Sequence, residues 1–149
     1  MLDAELQIVD SVVVDISENA EQLSTAFQLD RVGFPAQACF VVHIEETSGD
    51  DDIDPLKFVL QASVDSGTTY HDVAAIDLSG ANSASLQGPY SVPIGLMDFR
   101  AEIRTADEIK CRVAVRYADA AGTDNFTYSA YIGTGNPYPH FATAAVYHE

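Results

Sequence analysis

Alternation with a period of two residues runs through this chain from end to end, and successive side chains on a strand point to opposite faces. That pattern is the mark of half-buried antiparallel β-strands. In Ile109 to Tyr117, one side takes Ile109, Cys111, Val113, Val115 and Tyr117, and the other takes Lys110, Arg112, Ala114 and Arg116. Lys57 to Val64 repeats it, with Phe58, Leu60, Ala62 and Val64 inward against Lys57, Val59, Gln61 and Ser63. Phe99, Ala101 and Ile103 alternate with Arg100, Glu102 and Arg104 in the same way. Further strands are expected over Leu6–Ile16, Ala26–Leu29, Ala38–Glu45, Tyr70–Ala74, Asn125–Ile132 and Ala142–Tyr147. Ser17–Leu23 has a helical flavour, with Ser17 as a cap and Glu18 and Glu21 in a first turn.

Turn residues punctuate the strands at Ser48-Gly49-Asp50, Asp65-Ser66-Gly67, Ser79-Gly80-Ala81, Gly88-Pro89 and Ala121-Gly122-Thr123. With 149 residues there is material for one hydrophobic core. The expectation is a single all-β domain, 1–149, folded as an antiparallel two-sheet β-sandwich of jelly-roll or Ig-like type. Its core spans about 23–132, flanked by an N-terminal extension, 1–22, and a C-terminal arm, 133–149. The expected inward set includes Phe40, Val42, Phe58, Leu60, Ile103, Val113, Val115 and Phe126.

Charge narrows the partners. Twenty-three acidic residues against seven basic ones leave −16, a surface that repels phosphate backbones and anionic membranes. Nucleic acid and membrane are therefore not expected partners. The opening residues carry no cationic n-region and no long apolar stretch, which predicts synthesis in the cytoplasm without export by the general secretory route. Cys39 and Cys111, on separate expected strands, read as reduced, buried apolar residues.

Candidate chemistry is sparse. Ser63-Val-Asp65-Ser-Gly67-Thr-Thr-Tyr70 fits the Asp-box pattern of sialidase propellers and other β proteins, and its physics is that of a hairpin. Asp65 would accept turn amides, Gly67 would take a positive φ, and Tyr70 would pack under the loop. Asp50, Asp52 and Asp54 form an acidic cluster able to offer oxygen ligands to a hard cation, but Pro55 and Gln61 stand where an EF-hand needs glycine and glutamate. The cluster reads as a solvated loop tip. No zinc-ligand spacing, nucleophile elbow or phosphate-binding glycine loop is present in the sequence, so no cofactor and no catalysis are expected. In the tail, Pro137 and Pro139 stiffen an extended path while Tyr138, Phe141 and Tyr147 offer aromatic anchors, which predicts an intermolecular arm, the alternative being that Phe141 to Tyr147 is the last strand of the same sandwich.

Three segments together resemble a family of small structural proteins of tailed bacteriophages, found among head and decoration proteins. They are Ser24 to Val42, with Asp30 and Gly33 ahead of the apolar Phe40-Val-Val run; Lys57 to Leu78, the hairpin just described; and the basic strand Ile109–Tyr117. The glycine-rich element usual before that last strand is replaced by Pro93-Ile-Gly95-Leu-Met-Asp98-Phe-Arg100. The resemblance implies a capsid decoration or cement protein of the virion, binding the major capsid protein and other copies of itself. The alternative reading is a carbohydrate-binding or tail-associated module. A calcium-dependent adhesion domain is the third.

Overall fold

A computed structural model of the chain describes residues 7–15, 21–30, 38–49, 52–95, 98–105, 108–117, 125–134 and 143–146. Its strands, in chain order, are β1 (Gln7–Asp15), β2 (Glu21–Leu23), β3 (Phe27–Asp30), β4 (Ala38–Ser48), β5 (Asp52–Ile53), β6 (Leu56–Ser63), β7 (Tyr70–Asp77), β8 (Ala81–Asn82), β9 (Gly88–Ile94), β10 (Glu108–Tyr117), β11 (Asn125–Thr134) and β12 (Thr143–Val146), with one helical turn, α1 (Ala101–Arg104), between β9 and β10. All pairings are antiparallel. One sheet runs β1-β11-β4-β9 and the other β12-β7-β6-β10-β2, with β3 also on β10. The chain is an all-β sandwich.

The two sheets meet on their apolar faces. Phe58 of β6 sits edge-on to Phe126 and Tyr128 of β11, with centroids 5.7 and 5.2 Å apart, so aromatic rings from opposite sheets interlock at the centre. Phe40, Val42, Leu60, Val113 and Val115 join them at 0% exposure, and Ile53, Leu56, Leu86 and Phe99 close the ends of the core. Every residue of the expected inward set is buried.

Five local expectations are corrected. The Phe99–Ile103 stretch is not a strand: Arg104 and Ile103 donate backbone bonds to the Arg100 carbonyl, making a helical turn. Phe99 and Ile103 are buried and Ala101 is exposed, because residues four apart share a helical face while a residue at the midpoint does not. Gly88-Pro89 is not a turn but the start of β9, whose Pro89 and Pro93 are tolerated because β9 is an edge strand with half its amides facing away from β4. The N-terminal extension is part of the core, since Val9 and Val14 of β1 are buried, and Glu21–Leu23 is strand where a helical turn was expected. Finally, residues 143–146 pair with β7 in the chain's own sheet, which bears out the strand expected over Ala142–Tyr147 and corrects the reading of that segment as an intermolecular arm.

β2 and β3 share one side of β10, and Ser24 bridges the gap between them. Its amide donates to the Val113 carbonyl at 2.8 Å, and its hydroxyl accepts from the Val113 amide at 2.9 Å. Ser24 thus holds both backbone groups of Val113 on one edge of β10, and the Val113 side chain is buried. Replacing it with aspartate would place an unpaired carboxylate between the sheets, at a cost of several kcal/mol. Val113→Asp protein is expected to be insoluble or to show no cooperative melt by circular dichroism; a cooperative transition near the parent's would overturn the core assignment.

Candidate functional site

The turn between β6 and β7 is built from its own side chains. Ser63 Oγ accepts from the amides of Asp65 at 3.2 Å and Gly67 at 2.6 Å, and donates to Asp65 Oδ1 at 3.1 Å. Asp65 Oδ1 in turn accepts from the amides of Thr68, at 3.1 Å, and Thr69. The Thr69 contacts, reinforced by Ser63 and Thr68, hold the Asp65 carboxyl below its ordinary range. Gly67 has φ +104°, and the Tyr70 hydroxyl lies 3.6 Å from where a Cβ on Gly67 would stand. Ser63, Asp65, Gly67 and Tyr70 are therefore brought together, and the hydrogen-bonding capacity of the first two serves the loop's own amides.

From Tyr70 a polar network crosses the outer face of the larger sheet. The Arg112 guanidinium lies over the Tyr70 ring at 4.0 Å and donates from Nε to Gln61 Oε1 at 2.9 Å. Gln61 Nε2 donates to Asp72 Oδ1 at 2.9 Å. Arg116 completes it with a bidentate fork to Asp72, both bonds 2.9 Å, and an Nε bond to Glu21 of 2.7 Å. The register puts Arg116 in the cross-strand row of Lys57 and Asp77, and Asp72 in the row of Gln61 and Arg112. Between those rows lies Ala114–Val59–Ala75, so the Arg116 side chain must pass over it. That is why Val59, Ala75 and Ala114 form a second buried apolar cluster on a face expected to be solvated.

A third cluster lies on the smaller sheet. Glu45 accepts from Ser129 Oγ at 2.6 Å and Ser11 Oγ at 2.7 Å, and Ser129 Oγ accepts the Ser11 amide at 2.9 Å. Ser11, at φ +49°, occupies the bulge that shifts the β1–β11 register. A serine against a carboxylate invites comparison with a nucleophile and base, but here the hydroxyl donates straight to Glu45, with no imidazole between. The Ser129 and Ser11 bonds lower the Glu45 carboxyl below its ordinary range, making it a weaker base still. Its chemistry is that of a brace between β1, β4 and β11. Neither thiol departs from this pattern: Cys39 and Cys111 are buried and unpaired, and burial raises both, which disfavours the nucleophilic thiolate.

The acidic cluster splits. Asp52 lies on β5 and accepts from Asn82 Nδ2 at 3.3 Å, Asp54 is exposed in the following bend, and Asp50 is outside the described residues. Among the described residues no group of three His, Cys, Asp or Glu side chains is placed to hold a metal ion. Pro137, Tyr138, Pro139, Phe141 and Tyr147 also lie outside the described residues. The outer-face network and the Glu45 brace were not foreseen; the period-two pattern shows which residues face outward, and pairing register alone brings Glu21, Gln61, Asp72, Arg112 and Arg116 together. Among the described residues no helix is long and apolar enough to cross a membrane. Comparison with models of protein families gave no match for this chain, and comparison with curated proteins gave none either.

Two measurements follow from this geometry. Gly67→Val is expected to lower stability by about 1 kcal/mol, read as a lower melting temperature, because a β-branched residue resists φ +104°; an unchanged melt would show the turn relaxing at no cost. For Asp72, partial burial raises the carboxyl, but the bonds from Arg116 and Gln61 outweigh it and the net shift is downward. A depressed folded pKa contributes stability above the unfolded value, near 3.9, and loses it as pH falls through the folded value. Asp72→Asn should thus cost about 1 kcal/mol at pH 7 in urea melts, with the difference from the parent closing below about pH 4. A gap that persists unchanged at about pH 3 would assign it to packing.

Proposed function

We propose that the protein is a non-enzymatic structural protein that docks on the outer surface of a phage head, as a decoration or cement protein binding the major capsid protein and neighbouring copies of itself. The observation that carries binding over catalysis is the fate of its polar clusters. Ser63 with Asp65, Glu45 with Ser11 and Ser129, and Asp72 with Arg116 each direct their hydrogen bonds at the fold itself. A charge of −16 suits a position facing outward from packaged nucleic acid better than one lining it. The resemblance of Lys57 to Leu78 is carried by β6, β7 and their turn, which supplies the setting.

The test is co-sedimentation with empty heads assembled from the major capsid protein encoded by the same phage, beside a glycan array. Pelleting with heads and silence on the array is the expected outcome; array binding without pelleting would replace this reading with the carbohydrate-binding one. Because a body at −16 approaches opposite charge on its target, head occupancy should fall as salt rises from about 0.02 to 0.5 M, a range that shortens the Debye length several-fold. Rising occupancy would mean that repulsion between bound copies dominates. A flat profile would remove charge from the docking mechanism.

A further inference from the structure

Among the described residues, the large apolar side chains left in solvent are Val12, Val13 and Leu23, at 38%, 59% and 44% exposure, and all three lie on β1 and β2. Each of these strands ends its sheet, β1 the four-stranded one and β2 the six-stranded one. Their edges face one another across a cleft of about 230 Å³, lined by Val9, Val12 and Leu23 together with Asp10, Gln22 and Tyr128. On the other side of the sandwich, β9 packs against β7 and β12. One seam is thus closed by β9, while the cleft lies along the other, between β1 and β2.

The seam with the cleft has the features of a site for an added strand. Among the described residues β1 is paired on one side, to β11, and its other side is a sheet edge. The Val13 carbonyl turns to that edge, where Gln22 Nε2 meets it at 3.4 Å, a long contact. In an antiparallel ladder a residue's amide and carbonyl face the same side, so the Val13 amide is directed there too. Natural edges are blunted with lysine, proline or bulges. β1 has its bulge at Ser11, yet beyond it Val12, Val13 and Val14 run in unbroken register with Tyr128, Thr127 and Phe126 and carry neither lysine nor proline. Electrostatics selects the occupant, for the described lining of the cleft includes Asp10 and neither lysine nor arginine, in a chain at −16.

We infer that this seam receives an extended segment of a partner protein, apolar on one face and lysine- or arginine-rich on the other, which pairs with the edge of β1 at Val13. Its apolar side chains enter the cleft against Val12 and Leu23, and its cations meet the negative field outside. The inference rests on the binding-protein reading above and names the contact that reading leaves open.

The probe is a capped peptide of about seven residues in which lysine alternates with valine and threonine, compared with a peptide of the same charge interrupted by proline. Binding is followed by amide chemical shifts, with no phage head in the assay, so failure here and failure of head co-sedimentation are separate results. The alternating peptide should bind saturably and shift the amides of Val12, Val13 and Leu23, and the interrupted one should bind at least about tenfold more weakly. Val13→Pro, which removes the outward amide, and Leu23→Lys, which fills the cleft mouth with a cation, should each lose about tenfold while melting as the parent does. Equal binding of both peptides, or shifts spread over other acidic surfaces, would overturn the site. Should either variant fail to fold, the shift map on the parent protein decides by the same criterion.

Discussion

The contact on which the rest of this structure depends is the one between Phe58 and the Phe126–Tyr128 pair. Those rings come from the central strands of opposite sheets, and their edge-on packing sets the spacing at which every other inward side chain must fit. Phe40, Leu60, Val113 and Val115 fill around them without exposure. Since most of the stabilising burial lies between the sheets, the connections are free to be irregular where they cap the ends, as in the helical turn carrying Ile103 and the short β5–β8 ladder carrying Ile53.

Charge is spent unevenly over this frame. Of the few cations, Lys57, Lys110, Arg112 and Arg116 all project from the outer face of β6 and β10, and Arg116 engages two carboxylates. That fork does two jobs: it neutralises Asp72 and Glu21 locally, and its aliphatic stem covers Val59 and Ala114, giving the middle of the larger sheet a buried outer face. The remaining negative charge is left to the surface. A field of that sign, combined with an apolar seam between the β1 and β2 edges, is what joins the proposed docking role to a particular place on the molecule.

How much of this was legible beforehand can be judged residue by residue. Val113, Val115, Phe58 and Leu60 announce their burial through simple alternation, which needs no knowledge of partners. The turn from Ser63 to Tyr70 is local in the same sense, its bonds closing within a few residues. Misreadings fell where two periods agree or where position in the sheet decides. Phe99 and Ile103 share a face as strand or as helix, and Ala101 distinguishes the two only once its exposure is known. Pro89 and Pro93 argue against a strand unless that strand is at an edge, and edge position is a property of the whole sheet.

The sequence by itself thus determined the class of fold, the inward faces of the main strands and the β6–β7 turn, because each follows from side-chain period or from contacts between near neighbours in the chain. Tertiary structure alone decided which outward residues meet. Arg116 finds Asp72 across an intervening strand, Ser11 finds Ser129 and Glu45 through a bulge, and Val12 finds Leu23 across the opening between two sheets. Such meetings are set by register, strand order and the stacking of sheets. These depend on the summed packing of the whole chain, and no local run of residues encodes them.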